Sequence, residues 1–354
     1  MNKENNKKIP VGILGATGMV GQKFIKLLEN HPWFEIVALG ASSRSAGKMY
    51  GEVVNWQVDG AIPQIIAKMK VQSCEPKYPC QIVFSGLDSS VAGEIENAFA
   101  NAGHLVISNS KNHRMGTSIP LLIPEVNADH IELIKTQSFS NGGAIVTNPN
   151  CSVVGLATAL KPLDDIFSVK AVDVVTLQAL SGAGYPGVPS MDILNNVIPY
   201  IHDEEDKVET EPQKILGCFN DGKVDYHPMK VSAQCTRVPV IDGHLECVTL
   251  TLGQKTSKDK ILDAWKEFSG EPQKLKLPSA PNNPIVYFED PRYPQPRRHS
   301  NLERGMAVST GRLREVGDGR WKFIVLSHNT IRGAAGGAIL NAEILIKKGY
   351  LRDE

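Results

Sequence analysis

A short apolar run, Ile9–Leu14, leads into Gly15-Ala16-Thr17-Gly18-Met19-Val20-Gly21, and Phe24, Ile25, Leu27 and Leu28 then recur at helical spacing. Strand, glycine turn and helix is the order in which a backbone can wrap a pyrophosphate. With Gly12, the glycines form a G-x-x-G-x-x-G variant of the dinucleotide fingerprint. Such glycines permit a tight turn, close approach of backbone to phosphate, and packing of helix on strand. Glycine turns also occur in ordinary loops, so the motif gains its meaning from the flanking strand and helix. This start commits the N-terminal part of the chain to an α/β nucleotide-binding architecture.

The segments that follow keep to that plan. Glu35 to Gly40, Ile82-Val83-Phe84 and Leu105-Val106-Ile107 read as strands, the last two separated by a helical stretch from about Ser90 to Ala102. Strands alternating with helices predict a parallel, doubly wound (Rossmann-type) sheet. After the second strand, an NAD-binding chain usually offers a carboxylate to the ribose hydroxyls. This chain offers Ala41-Ser42-Ser43-Arg44-Ser45-Ala46-Gly47-Lys48 instead. A carboxylate would repel a 2′-phosphate, whereas Arg44 can pair with one bidentately, so the loop favours NADP(H). The plain alternative is a solvated basic loop. Arg114, in the Ser108–Arg114 segment that follows Leu105-Val106-Ile107, is a candidate anion ligand or else a surface arginine.

Midway, Asn148-Pro149-Asn150-Cys151 precedes Val153, Val154, Leu156, Ala157 and Leu160 at helical spacing. Pro149 ends what comes before it and Asn150 is a good N-cap, which places Cys151 in the first helical turn. Unpaired backbone N–H groups and the helix dipole there favour a thiolate, the nucleophilic form. The plain alternative is a cysteine acting as a small hydrophobe.

The pattern then changes. Val169 to Leu177 reads as a strand ending at Gln178-Ala179-Leu180-Ser181-Gly182-Ala183-Gly184. Met229 to Val240 and Leu245 to Leu252 suggest a hairpin around Ile241-Asp242-Gly243, with Arg237 near the end of the first strand and His244 after the turn. Met306 to Arg314 and Trp321 to Leu326 suggest a second pair, so a mainly antiparallel sheet is expected. Asp203-Glu204-Glu205-Asp206-Lys207 reads as a solvated helix start, Lys258 to Phe268 as a surface helix, and Pro278 to Pro296 as an extended arm. Ile331 to Tyr350 reads as a helix that packs back on the first domain.

Composition excludes several function classes. Thirty-eight basic and 38 acidic residues cancel, against a nucleic-acid or membrane-surface binder. The N-terminal Met1 to Lys8 is polar, so a frayed tail rather than a signal peptide is expected. None of the six cysteines shows Cys-x-x-Cys or zinc-site spacing, so no metal is expected and the thiols read as reduced and cytoplasmic.

Taken together these segments closely resemble the aspartate-β-semialdehyde dehydrogenase family, in its archaeal and fungal style, from about Ile9 to the final helix. The resemblance rests on the glycine turn, Ser108–Met115, Asn148–Cys151, Gln178–Gly184, Arg237-Val238-Pro239-Val240 with Gly243-His244, and Asn329–Ala335. It implies an NADP-binding domain of residues 1–150 and 330–354 and a catalytic and dimerisation domain of residues 151–329. It implies that Cys151 accepts the acyl group, that His244 is the acid/base and that Gln178 positions the reacting group. By the same resemblance Arg237 clamps the substrate carboxylate, Glu204 meets its amino group, and Asn150, Arg114 and Lys207 hold phosphate. Gly15, Thr17, Gly18, Met19, Val20, Ser42, Arg44, Ser45, Ser181, Gly182 and Asn329 would line the cofactor. The implied reaction reduces aspartyl phosphate to aspartate semialdehyde and inorganic phosphate, for lysine, methionine and threonine synthesis, in a homodimer or homotetramer. The rivals are malonyl-CoA reductase, N-acetyl-γ-glutamyl-phosphate reductase and a non-catalytic NADP sensor.

Overall fold

The computed structural model describes Lys8–Leu351; apart from Lys8, the expected frayed tail lies outside the described residues. The glycine turn does sit between a strand and a helix. β1 (Ile9–Leu14), β2 (Phe34–Ala41), β3 (Gln72–Ser73), β4 (Ile82–Ser85), β5 (Leu105–Ser108) and β6 (Ala144–Thr147) form one parallel sheet in the order β3-β2-β1-β4-β5-β6. The strand order reverses beside β1, and a crevice opens at the carboxyl ends of strands at such a switch point. β4, β5 and β6 are buried at every position, as strands covered on both faces must be. Helix α1 (Met19–Leu28) turns Phe24, Ile25 and Leu28 inward, and the Phe24 ring stacks on Phe84 at 5.0 Å. Helix α2 (Ser89–Asn101) is N-capped by Asp88, which accepts from Ser90 N–H.

The first sheet's edge strand delivers the chain to the second unit. β6 ends at Thr147, Asn148-Pro149-Asn150 makes the bend, and helix α3 (Cys151–Phe167) begins at the cysteine. Val153, Leu156, Ala157, Leu160 and Leu163 of α3 share a core with Val172, Val174, Val248, Leu250 and Phe323 of the second sheet. That sheet contains β7 (Val169–Gln178), β10 (Lys230–Arg237), β11 (His244–Leu252), β12 (Ile285–Phe288), β13 (Val308–Glu315) and β14 (Arg320–Ser327), while β8 (Cys218–Asn220) and β9 (Lys223–Asp225) make a separate ribbon. Its order is β10-β7-β11-β14-β13-β12, with three antiparallel pairings at the centre and a parallel one at each edge. Helices α4 (Glu204–Ile215) and α5 (Lys258–Glu267) pack around it. On the opposite face β7 exposes Lys170, Asp173 and Val175 between buried Val169, Val172 and Val174. After a π-helical turn at Ile331–Ala335, helix α6 (Gly336–Lys347) buries Ala338, Ile339, Ala342 and Ile344 against the first sheet's core, as expected. Among the described residues no helix is long and apolar enough to cross a membrane.

Two expectations fail. β10 and β11 are not a hairpin, because β7 lies between them. The six residues 238–243 span roughly 20 Å when extended, enough to step over one strand at about 4.8 Å spacing per strand. They cross the end of β7, where Val240 and Ile241 carbonyls accept from Leu180 N–H at 2.7 Å and Ser181 N–H at 3.1 Å. The Pro278–Pro296 arm is not extended loop throughout, since Ile285–Phe288 adds an edge strand beside β13. Flanking prolines are compatible with an edge, where one side of the strand needs no donor.

Glu246 sits in β11 on the buried face, and neither carboxylate oxygen has a partner among the described residues. Burial pushes its carboxyl well above the usual 4.5. A raised folded-state pKa means that the fold holds a proton the unfolded chain releases, so stability falls as pH rises above the unfolded value. Between about pH 5 and about pH 8, the Tm of the unaltered protein should therefore drop relative to that of Glu246→Gln. Parallel Tm curves for the two proteins would show that Glu246 ionises freely inside the fold.

Candidate active site

The carboxyl edge of the first sheet, the start of α3, the Gln178–Tyr185 turn, the start of α4 and the Asn329–Ala334 segment enclose one cleft of about 860 Å³. Cys151 lies in it with partial solvent access. Its position follows from local chemistry. Asn150 Oδ1 accepts from Ser152 N–H at 2.9 Å and Val153 N–H at 3.4 Å, so the cap forms as expected and the sulfur sits one residue beyond it. The π-helical turn presses against the same spot: a Cβ on Gly333 would lie 2.8 Å from Cys151 Cα.

His244 comes from the first position of β11, and its Nε2 is 3.2 Å from Cys151 Sγ. Its Nδ1 accepts from Ala179 N–H at 3.0 Å. A neutral ring with Nδ1 so occupied carries its proton on Nε2, and therefore meets the sulfur as a donor. Gly182 closes over the pair, where a Cβ would fall 3.0 Å from Arg237 Nη1 and 3.1 Å from His244 Cε1. Asn329 ties this loop down, accepting from Gly243 N–H at 2.9 Å and donating to Ser181 Oγ at 2.7 Å.

The electrostatics differ from the sequence expectation. Burial, reinforced by the Glu204 charge, pushes the Cys151 thiol up to about 12, against the opposing pull of Arg114, Arg237 and Lys207. The helix start does not make this a readily ionised thiol in the free site, because lost solvation outweighs it. Burial, with Arg237 nearby, pushes His244 down to about 3. Burial thus favours the neutral form of both the thiol and the imidazole.

Around them lies a lattice of charges. Glu204 is buried, and its Oε1 accepts from Asn150 Nδ2 at 2.8 Å and Gln178 Nε2 at 3.2 Å. Its Oε2 pairs with Lys207 at 2.9 Å, and these contacts hold its carboxyl below the usual range despite burial. Arg114 pairs with Glu211 at 2.9 Å, and Lys111 with Asp203 at 2.7 Å. Arg237 donates to the Ala179 carbonyl at 2.7 Å. Of the four cations lining the cleft, Arg237 alone has no carboxylate within ion-pair distance among the described residues.

At the other end of the cleft the residues fit a dinucleotide. Gly15 has φ +76°, and a Cβ on Gly21 would lie 2.3 Å from the Gly15 carbonyl oxygen, so the turn tolerates no side chain at either position. Gly15, Thr17, Gly18, Met19, Val20 and Ser42 line the cleft directly, whereas Arg44 is exposed and Ser45 half-buried beyond its edge.

Two family models match this chain: semialdehyde dehydrogenase, NAD binding domain, over residues 10–134, and semialdehyde dehydrogenase, dimerisation domain, over residues 160–332. The aspartate-semialdehyde dehydrogenase of Archaeoglobus fulgidus is 49% identical over 341 residues, covering 96% of this chain and 98% of the relative. The chain belongs to the aspartate-semialdehyde dehydrogenase family. A Schizosaccharomyces pombe member is 48% identical over 96% of this chain and 99% of its own length. The Candida albicans aspartate semialdehyde dehydrogenase structure with NADP superposes at TM-score 0.90, with 44% identity over 98% of this chain and 100% of that one. These archaeal and fungal relatives agree with the style of the motifs, and they lend no support to malonyl-CoA reductase.

For this family member, the cleft gathers Cys151, Gln178, Arg237, Glu204, Lys207, Arg114, Asn150, Ser181, Gly182 and Asn329 in one place, with His244 fully buried behind Cys151 rather than lining it. Asn150 and Arg114 are more engaged than the sequence suggested. Both ends of the Asn150 amide are taken, and Arg114 also donates to the Asn109 carbonyl at 2.8 Å. Glu211 escaped the sequence reading, although Glu204, Lys207, Glu211 and Lys214 recur at helical spacing and could have signalled a charged face. With the thiol raised, alkylation of Cys151 by iodoacetamide in the cofactor-free protein should keep accelerating from about pH 6 to about pH 9. A plateau reached by neutral pH would mean that the resting sulfur is already a thiolate.

Proposed function

We propose that this chain reduces L-aspartyl 4-phosphate to L-aspartate 4-semialdehyde and inorganic phosphate through a thioester on Cys151. The reading is carried by the contact at 3.2 Å between buried His244 and Cys151, which lines the same cleft as the glycine turn. Residues 1–150 with 330–354 form the NADP-binding domain on this reading, and residues 151–329 the catalytic and dimerisation domain. Bound NADPH supplies a hydride to the thioester carbon.

Everything else falls to the chain's own side chains. Arg237, the cation without a carboxylate partner, takes the substrate α-carboxylate as a bidentate fork. Glu204 takes the ammonium group, and its existing bonds to Asn150, Gln178 and Lys207 hold it ready. Lys207, Arg114 and Asn150 face the phosphoryl end. Sulfur attacks the acyl carbon, the C–O bond to phosphate breaks, and the thiol proton leaves with the phosphate. His244 Nε2–H hydrogen-bonds the thiolate that forms as the thiol proton departs, and hydrogen-bonds again the thiolate released when the thiohemiacetal collapses to the aldehyde. Service as a base toward the thiol requires that Nδ1 give up the Ala179 N–H. Gln178 orients the acyl group beside Cys151. Thr17, Gly18, Met19, Val20, Ser42, Arg44, Ser45, Ser181, Gly182 and Asn329 hold NADP(H), with Arg44 on the 2′-phosphate.

The aldehyde serves lysine, methionine and threonine synthesis. The family's dimerisation domain supports a homodimer, and the uncovered face of the second sheet offers a surface for it. A cytoplasmic location suits the reduced thiols.

The deciding assay is NADPH formation from aspartate semialdehyde with and without inorganic phosphate; turnover that ignores phosphate would overturn the reading. Cys151→Ala should lower kcat by ~10³-fold or more, because a nucleophile has no partial substitute. Activity within about tenfold of the unaltered protein would remove Cys151 from that role. Arg44→Ala should raise KM for NADP+ about tenfold while leaving KM for NAD+ within about twofold. Equal changes for both cofactors would place the 2′-phosphate elsewhere.

A further inference from the structure

Helix α4 carries Glu204, Lys207, Glu211 and Lys214 at intervals of three, four and three residues, which puts all four on one face. The first two line the cleft; the last two do not. Glu211 and Lys214 are nonetheless among the most enclosed charges in the protein, at 2% and 1% exposure.

Their partners explain the burial. Glu211 Oε1 accepts from Arg114 Nη1 at 2.9 Å, and Glu211 Oε2 accepts from the backbone N–H of Asn150 at 2.6 Å. Lys214 Nζ donates to the carbonyls of Arg114 at 2.7 Å, Gly116 at 2.7 Å and Ile119 at 2.8 Å, using all three of its donors. Arg114 is therefore held twice from one helix, by its guanidinium and by its own carbonyl. The same carboxylate also holds the residue that precedes the nucleophile. Stability alone does not call for this, since apolar residues could fill such a space without desolvating charges. What the arrangement secures is a fixed relation between two segments of different loops.

We propose that Glu211, backed by Lys214, is a positioning residue that fixes the Arg114 guanidinium against the start of the Cys151 helix. A phosphoryl group seated at Arg114 then presents its acyl carbon at a set distance from sulfur. Neither residue touches substrate. The proposal rests on the reading above that Arg114 faces the phosphoryl end.

The test uses the full-length protein in the oxidative direction, with aspartate semialdehyde, NADP+ and inorganic phosphate. Glu211→Gln should lower kcat/KM for phosphate ~10- to 100-fold while KM for NADP+ stays within about twofold, since misplacement by about an ångström costs on that order. In an Arg114→Ala background, Glu211→Gln should add less than about threefold, because it acts through Arg114. Lys214→Met should reproduce the phosphate-selective loss, and serves as the readout if Glu211→Gln does not fold. Losses shared equally by phosphate and NADP+, or losses that multiply in the double variant, would overturn the proposal. If the unaltered protein shows no phosphate-dependent turnover, the reaction assigned above falls and this proposal with it. If it does and Glu211→Gln matches it within about twofold, only the positioning role falls.

Discussion

The 3.2 Å approach of Cys151 Sγ to His244 Nε2 is the contact on which the site's arrangement depends, because it joins two parts of the chain that fold for separate reasons. The sulfur is placed by the end of β6, a bend through Pro149 and the Asn150 cap. The imidazole is placed by the first residue of β11, which pairs with β7 on one side and β14 on the other. α3 carries the relation between them, since its apolar face is packed into the second sheet while its first turn stays at the edge of the first. A shift of α3 along its axis would separate the pair and also uncover core leucines and valines. Packing energy thereby enforces the geometry of the pair.

The first half was legible in the sequence because its signals are local. A glycine turn between an apolar run and a helical face admits few folds, and buried parallel strands advertise themselves as unbroken apolar runs. The second half was less legible because strand pairing there is non-local. Residues 238–243 look like a hairpin turn when read alone, and only the position of β7 shows that they bridge two strands. The edge strand Ile285–Phe288 was hidden by its prolines. Glu211 and Lys214 were missed for a related reason. A charged helix face usually signals solvent, and nothing local shows that a carbonyl-lined loop closes over it.

The thiol presents the same lesson in electrostatic terms. Sequence spacing correctly places Cys151 in the first helical turn, and a helix start does favour an anion. That effect is modest, whereas removing water from a sulfur anion is costly. With Glu204 adding a negative charge, the enclosed site pushes the thiol pKa up and so favours the protonated sulfur. The acidity of a buried nucleophile is set by what surrounds it in space, and a motif cannot report that.

The pairing of charges shows how such a site can bind a multiply charged substrate and still release it. Lys207, Arg114 and Lys111 each enter the cleft with a carboxylate beside them, from Glu204, Glu211 and Asp203. On the proposed reading, a phosphate arriving there meets donors whose charge is partly offset by those carboxylates. Arg237 is different, with only the Ala179 carbonyl as a side-chain hydrogen-bond partner among the described residues. On the proposed reading, the largest uncompensated attraction in the cleft therefore falls on the substrate group that stays unchanged through the reaction, while the group that must depart is held by offset charges. Uniform binding of a leaving phosphate would slow its release without lowering the barrier. Neutralised cations at that end and a bare one at the other serve the chemistry better than an evenly positive pocket.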